Sequence, residues 1–257
     1  MAHRGDARRG PPSGRALRGP RLGRRAPRYA PGRGLEEGRL ATRGAGGVRR
    51  GLFVTVEGLD FSGKSTLVRT LRPLLSDLPT HFTREPGGTP AAERIREIVL
   101  EPGVEMDAWT EAYLYAAARA DHARLGILPR LQAGENVVSE RYLDSSIAYQ
   151  GCGRELGVEA VRALNAFAVG TVVPHRTFYL RLDPAERERR AERLGAPDRI
   201  EAVGAEFMRR VEEGFEELAR LEPGRIEVLD ASRPPHELAK VVVGRMRDLQ
   251  YTRGDEG

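Results

Sequence analysis

The segment Gly58-Leu59-Asp60-Phe61-Ser62-Gly63-Lys64-Ser65-Thr66 follows the apolar run GLFVTVE (51–57) and opens a stretch with helical periodicity. Gly58 through Ser65 keeps the spacing G-x-x-x-x-G-K-[ST], which forms a phosphate cradle when a strand precedes it and a helix follows. Its glycines let backbone N–H groups wrap a phosphate, and the helix N-terminus adds a positive dipole. Lys64 is placed to reach the outer phosphates of a nucleotide such as ATP, and Ser65 to ligate Mg²⁺. The two lysines of the chain are Lys64 and Lys240; all its other basic residues are arginine. A lysine in the loop therefore suggests that a compact ammonium is needed where a guanidinium would not fit.

A cradle alone leaves GTPases, ATP-driven machines and small-molecule kinases open. No base-reading N-K-x-D string occurs, which argues against a GTPase. Three further stretches carry chemistry: TREPGGTPAAERIREIVL (83–100), EAYLYAAARADH (111–122) and SERYLDSSIAYQG (139–151). In the second, Tyr115 and Arg119 lie four residues apart, hence on one helix face a turn apart. An aromatic ring beside a guanidinium suits a nucleoside monophosphate, although an amphipathic helix with a core tyrosine has the same pattern.

Taken together, GLDFSGKST, TREPGGT, LYAAARADH, ERYLDSSIAYQG and DRIE resemble the thymidylate kinase family over residues 51 to about 250. The resemblance implies a phosphate-loop kinase that moves the γ-phosphoryl of ATP to dTMP with Mg²⁺, in line and without a general base, because the acceptor is already a phosphate. It implies ATP contacts from residues 58–66 and from Arg199 of DRIE. Tyr115 would stack on thymine, Arg119 would hold the substrate and Arg96 would grip its 5′-phosphate. Glu85 would face the sugar or the metal side, and Arg141 the substrate phosphate. Ser146 and Gln150 would read the base edge, with Tyr149 against the deoxyribose. Glu140 stands where the family usually has Asp, so its contact to Mg²⁺ is expected through water. Asp60 would orient the acceptor phosphate or its metal. The family is typically homodimeric.

Phosphoryl transfer leans on cationic stabilisation. In this family an arginine comes from the phosphate loop or from the lid. The loop offers Leu59, Asp60, Phe61 and Ser62, so the lid RERRAERLGAPDRIE (187–201) must supply it. Leu194 stands before Gly195 where family lids often carry Arg. Arg193 is the first candidate and Arg190 the reserve; a solvated helix of Arg/Glu pairs is the competing reading.

To converge, these residues need a frame. Apolar runs at 51–57, 81–85, 136–140, 176–182 and 225–230 read as strands covered on both faces. Helical patterns run at about 64–77, 90–100, 107–133, 157–169, 184–194, 203–221 and 234–249. The expected fold is α/β: an open, mostly parallel five-stranded sheet flanked by helices, Rossmann-like in its three layers, with its site at the carboxyl ends of the strands.

The formal net charge of +5 is unevenly spread. Residues 1–50 hold fourteen arginines against Asp6, Glu36 and Glu37, which leaves the remainder net acidic. The Arg/Gly/Pro-rich segment 1–47 is expected to be a disordered extension of the domain at 48–257. It could be an arm touching nucleic acid non-specifically, a transit peptide or an accessory or mis-started extension. One cysteine, Cys152, and no long apolar run lead to the expectation of a cytoplasmic, membrane-free protein. Two rival functions remain: another phosphate-loop nucleotide or nucleoside kinase, and an Arg-tailed nucleic-acid-binding ATPase.

Overall fold

The computed structural model describes residues 50–194, 200 and 203–252. The tail and Arg199 therefore lie outside the described residues, as does the lid from Gly195 to Arg199. Strands β1 (Phe53–Glu57), β2 (Thr80–Arg84), β3 (Asn136–Glu140), β4 (Arg176–Arg181) and β5 (Ile226–Asp230) form one sheet, all parallel, in the order β2-β3-β1-β4-β5. Central β1 is buried throughout. Its residues alternate between two cores: Val54 and Val56 pack on one face with α1 (Lys64–Leu74) and α9 (Pro235–Thr252) through Leu67, Leu71, Leu238 and Val242. Phe53 joins the opposite core with Tyr142, Tyr179, Phe207 and Phe215. Covering both faces of a parallel sheet in this way is why its strands read as unbroken apolar runs.

The second face is built by α3 (Ala108–Asp121), α6 (Val158–Val169) and α8 (Ala205–Leu221), with α2 (Pro90–Leu100) packed on α3. Thr89 caps α2, accepting from the Ala92 N–H, with Pro90 at its first turn. The pattern read as one helix over 107–133 is interrupted: α3 gives way to a π-helical stretch, His122–Ile127, before the short α4 (Leu128–Gln132). Residues left without a helix assignment form α5 (Leu143–Ser146) and a second π-helical stretch, Ile147–Gly153. The π form is uncommon and concentrates at functional sites. The second stretch carries Tyr149 and Gln150.

Two ladder-extending bonds bring the strand ends together. Arg141 N–H donates to Val56 O at 2.9 Å and Glu85 N–H to Glu140 O at 2.9 Å. The loops after β1, β2 and β3 thus meet at one edge of the sheet, where ligands of open α/β sheets bind.

Candidate active site

The loop between β1 and α1 is held by backbone conformations that few residues adopt. Gly58 has φ 143°, and a Cβ there would lie 2.8 Å from Leu180 O; Gly63, which begins α1, has φ 96°. Phe61, at φ 64°, is left-handed without being glycine. Lys64 is buried and donates to Leu59 O at 2.6 Å, which curls its ammonium back over the loop, 3.7 Å from Asp60. Burial, reinforced by nearby Arg141, lowers the Lys64 pKa to about 8. Burial pulls Asp60 the other way, yet Arg141 and then Lys64 outweigh it and hold the carboxyl at about 2.

Arg141 ties this half together. Its backbone is left-handed (φ 65°), and its guanidinium donates to Gly58 O (3.0 Å), Ser145 Oγ (3.1 Å), Asp60 Oδ1 and the Tyr149 hydroxyl (3.3 Å). The Tyr149 hydroxyl donates in turn to Asp60 Oδ2 at 3.2 Å, and Arg141 lies over the Tyr149 ring. Behind them sits a residue that sequence reasoning passed over, Glu57. Fully buried at the end of β1, it accepts from Tyr142 N–H (2.7 Å) and Ser145 Oγ (2.6 Å). Burial, with neighbouring Asp144 adding to it, raises its pKa to about 7. Asp144 itself is kept low against burial by a two-pronged bond from Arg225. A lone carboxylate inside the apolar run GLFVTVE was the available sign of Glu57.

Ser65 Oγ donates to Glu140 Oε1 at 2.8 Å at the mouth of the loop. Thr66 follows, its hydroxyl oxygen accepting from Arg69.

A cleft of about 280 Å³ runs from this mouth, lined by Asp60, Ser65, Glu140, Arg141, Tyr149 and, farther along, Glu85, Arg96, Tyr115, Arg119, Ser146 and Gln150. The substrate-side candidates thus converge on one space, joined by Pro86, Leu100, Ser145 and Ile200, which lie in the same motifs without an expected role; Lys64, Arg190 and Arg193 do not line it. Arg119 is 2% exposed and bonds Glu85 Oε2 (2.8 Å), Ser146 Oγ (2.8 Å), Asn165 Oδ1 and Tyr142 O (2.9 Å). Glu85 also meets His122 Nδ1 at 3.0 Å. Most of the donors of Arg119 are therefore spent on the wall, and Asn165 and His122 support that wall from outside the sequence motifs' expected roles. Arg96 donates to Pro86 O at 3.0 Å, which holds it over the turn after β2.

The lid helix α7 (Pro184–Leu194) separates the two candidate arginines. Arg190 Nη1 lies 3.8 Å from where a Gly63 Cβ would be, directly at the phosphate loop, while its Nε donates to Glu186 and its Nη2 to Ala231 O. Arg193 is exposed.

With this geometry in place, the comparisons decide the family. A family model described as thymidylate kinase matches residues 56–242. The chain belongs to the thymidylate kinase family. The thymidylate kinase of Deinococcus radiodurans is 46% identical over 191 residues, covering 74% of this chain and 93% of that protein. That of Symbiobacterium thermophilum is 46% identical over 193 residues, covering 74% and 89%. A crystal structure of the thymidylate kinase from Ehrlichia chaffeensis superimposes with a TM-score of 0.62 at 31% identity, covering 75% of this chain and 98% of that one. This membership agrees with the parallel sheet, the phosphate loop and the position of the cleft. Among the described residues no helix is long and apolar enough to cross a membrane.

Proposed function

We propose a division of labour for the family's reaction, transfer of the ATP γ-phosphoryl group to dTMP. The chain is a dTMP kinase. The observation that carries the assignment of residues is that the phosphate loop and the wall of Arg96, Tyr115 and Gln150 open on one cleft, with Arg141 between them. Residues 58–66 cradle the donor phosphates, and Lys64 meets their charge. Arg96 and Arg141 hold the acceptor phosphate in line, which converts a two-body encounter into a positioned one. Tyr115 packs on the base, Ser146 and Gln150 face its polar edge, and Tyr149 lies toward the sugar. Arg119 acts mostly through Glu85 and Ser146, by fixing the wall.

Arg190 supplies the lid cation, supported by its reach to Gly63. Asp60, ion-paired with Arg141, aims that guanidinium. Mg²⁺ suits the donors present: Ser65 Oγ and Glu140 Oε1 are two hard oxygens 2.8 Å apart, leaving most of an octahedron to phosphates and water. Bound there, it would neutralise charge on the donor phosphates. A second copy of the chain fits against the outer side of α2, α3, α6 and the His122–Ile127 stretch, where Ile98, Trp109, Tyr113, Leu125 and Phe167 are exposed.

The test is a coupled assay of the purified chain with ATP, with and without Mg²⁺, against dTMP, dUMP, dCMP and thymidine, with the mass in solution read by light scattering. A dimer, Mg²⁺-dependent turnover and dTMP as the best acceptor are expected. Preference for thymidine, or ATP hydrolysis indifferent to any acceptor but stimulated by RNA, would overturn the reading of the acceptor site, and a monomer at assay concentration that of the dimer face.

A further inference from the structure

Glu111 belongs to α3, is 1% exposed and is not among the residues that line the cleft. Its carboxylate accepts from Arg154 through both oxygens, Nε to Oε1 at 3.2 Å and Nη2 to Oε2 at 2.8 Å. Arg154 is itself laid over the Phe207 ring, 4.8 Å from its centroid, which fixes the guanidinium from the other side. Oε1 of Glu111 also accepts from Gln150 Nε2 at 3.0 Å, and Gln150 does line the cleft.

The chemistry of this contact selects one of two states for the amide. An ion-paired carboxylate can only accept, so Gln150 must turn its NH₂ toward Glu111. Rotating the amide by half a turn would set its carbonyl oxygen against a carboxylate oxygen with no proton between them, inside a buried site where an unmade bond is costly. With one N–H committed, the amide offers the cleft its carbonyl oxygen and its second N–H side by side. That acceptor-and-donor edge complements a pyrimidine with an N3–H next to a 4-carbonyl, as in thymine or uracil. Cytosine presents a bare N3 next to a 4-amino group, the reverse pattern, and would require the rotated amide.

We infer that Glu111 is a positioning residue for base selection: held by Arg154, it locks the Gln150 amide in the orientation that accepts 4-oxo pyrimidine nucleotides and refuses 4-amino ones. The inference rests on the proposed reading of Gln150 as facing the base, and it does not separate thymine from uracil, which share that edge.

The experiment measures kcat/KM for dTMP and dCMP in the full chain and in Glu111→Gln, Gln150→Ala and the double variant. A neutral amide at position 111 can donate as well as accept, so Glu111→Gln is expected to lower the dTMP/dCMP ratio at least about tenfold, with the KM for ATP within about twofold. Gln150→Ala should also lower the ratio, and adding Glu111→Gln to it should change the ratio no further. If Gln150→Ala leaves the ratio unchanged, the base-facing reading fails and takes the inference with it. If Gln150→Ala lowers the ratio but Glu111→Gln does not, or lowers both substrates equally, the inference alone is overturned. A Glu111→Gln effect that persists in full without Gln150 overturns it too. Should melting show Glu111→Gln to be unfolded, Glu111→Ser, which also removes the carboxylate, is expected to relax the ratio and decides the matter in its place.

Discussion

The cleft floor and the lid helix are both crowded with charge, yet they are held by different physics. On the floor, Glu57 and Asp60 meet partners distant in sequence: Glu57 bonds Ser145 88 residues away, and Asp60 bonds Arg141 81 residues away. Glu57 is buried and the Asp60–Arg141 pair half-buried, so these contacts are costly to break. On α7, Arg189 and Arg190 pair with Glu186 three and four residues earlier, at side-chain exposures of 63% and 29%. Local pairs of this kind near the surface contribute little. The floor is therefore preorganised, whereas the charged pairs of α7 are local, with one longer tie from Arg190 to Ala231 O. A cation needed only in the transition state belongs on the second kind of element.

That contrast breaks first if the lid is not where the cation originates. Arg190→Ala is expected to lower kcat by about 10³-fold, the lower end of what an arginine finger contributes, while shifting Tm by no more than about 2 °C. Arg193→Ala should stay within about threefold of the parent, since its side chain is exposed. Steady-state kinetics with calorimetry on both variants would show it, and a larger loss for Arg193 would reassign the role.

On the floor, Asp60→Ala should cost about 10²-fold in kcat with a much smaller effect on the KM for ATP, because it releases Arg141 rather than the donor cradle. Unlike the lid variant it should also lower Tm, having left Arg141 without its charged partner. Unchanged kinetics would remove Asp60 from the mechanism.

The last effect is thermodynamic and concerns Glu57. Its pKa of about 7 in the folded chain lies above the ordinary 4.5, so the folded state binds more protons between those values. Stability from this group is full below pH 4.5 and is lost as pH rises through 7. Glu57→Gln, which keeps the shape and cannot ionise, should gain on the parent by on the order of 3 kcal/mol between pH 4.5 and 7.5. Urea titrations at the two pH values measure the difference; if it is flat with pH, the carboxyl is not held neutral and the floor is less desolvated than its burial indicates.

Much of the frame was legible from pattern. Strands at 136–140 and helices at 90–100 and 184–194 coincide with the structure, because apolar runs and capped periodic segments are local properties of the chain. The helix read through 107–133 was too regular, since a π turn at His122–Ile127 leaves the apolar pattern almost unchanged. Residues 143–153 were given no helix, because Asp144, Ser145, Ser146 and Gly151 interrupt the apolar periodicity. Their polar side chains are buried, and bonds such as Asp144 to Arg225 satisfy them from 81 residues away.

Motif spacing by itself determined the phosphate cradle, the family resemblance and the set of residues that meet in the cleft, because a glycine loop followed by a helix binds phosphate through backbone geometry alone. Only the tertiary structure decided how the charges are apportioned. It turned Arg119 into the wall, put Arg190 rather than Arg193 at the phosphate loop, and set Glu57 and Glu111 behind residues that line the cleft. The reason is that a charged side chain has no fixed role in sequence; its role depends on which partners the fold buries beside it.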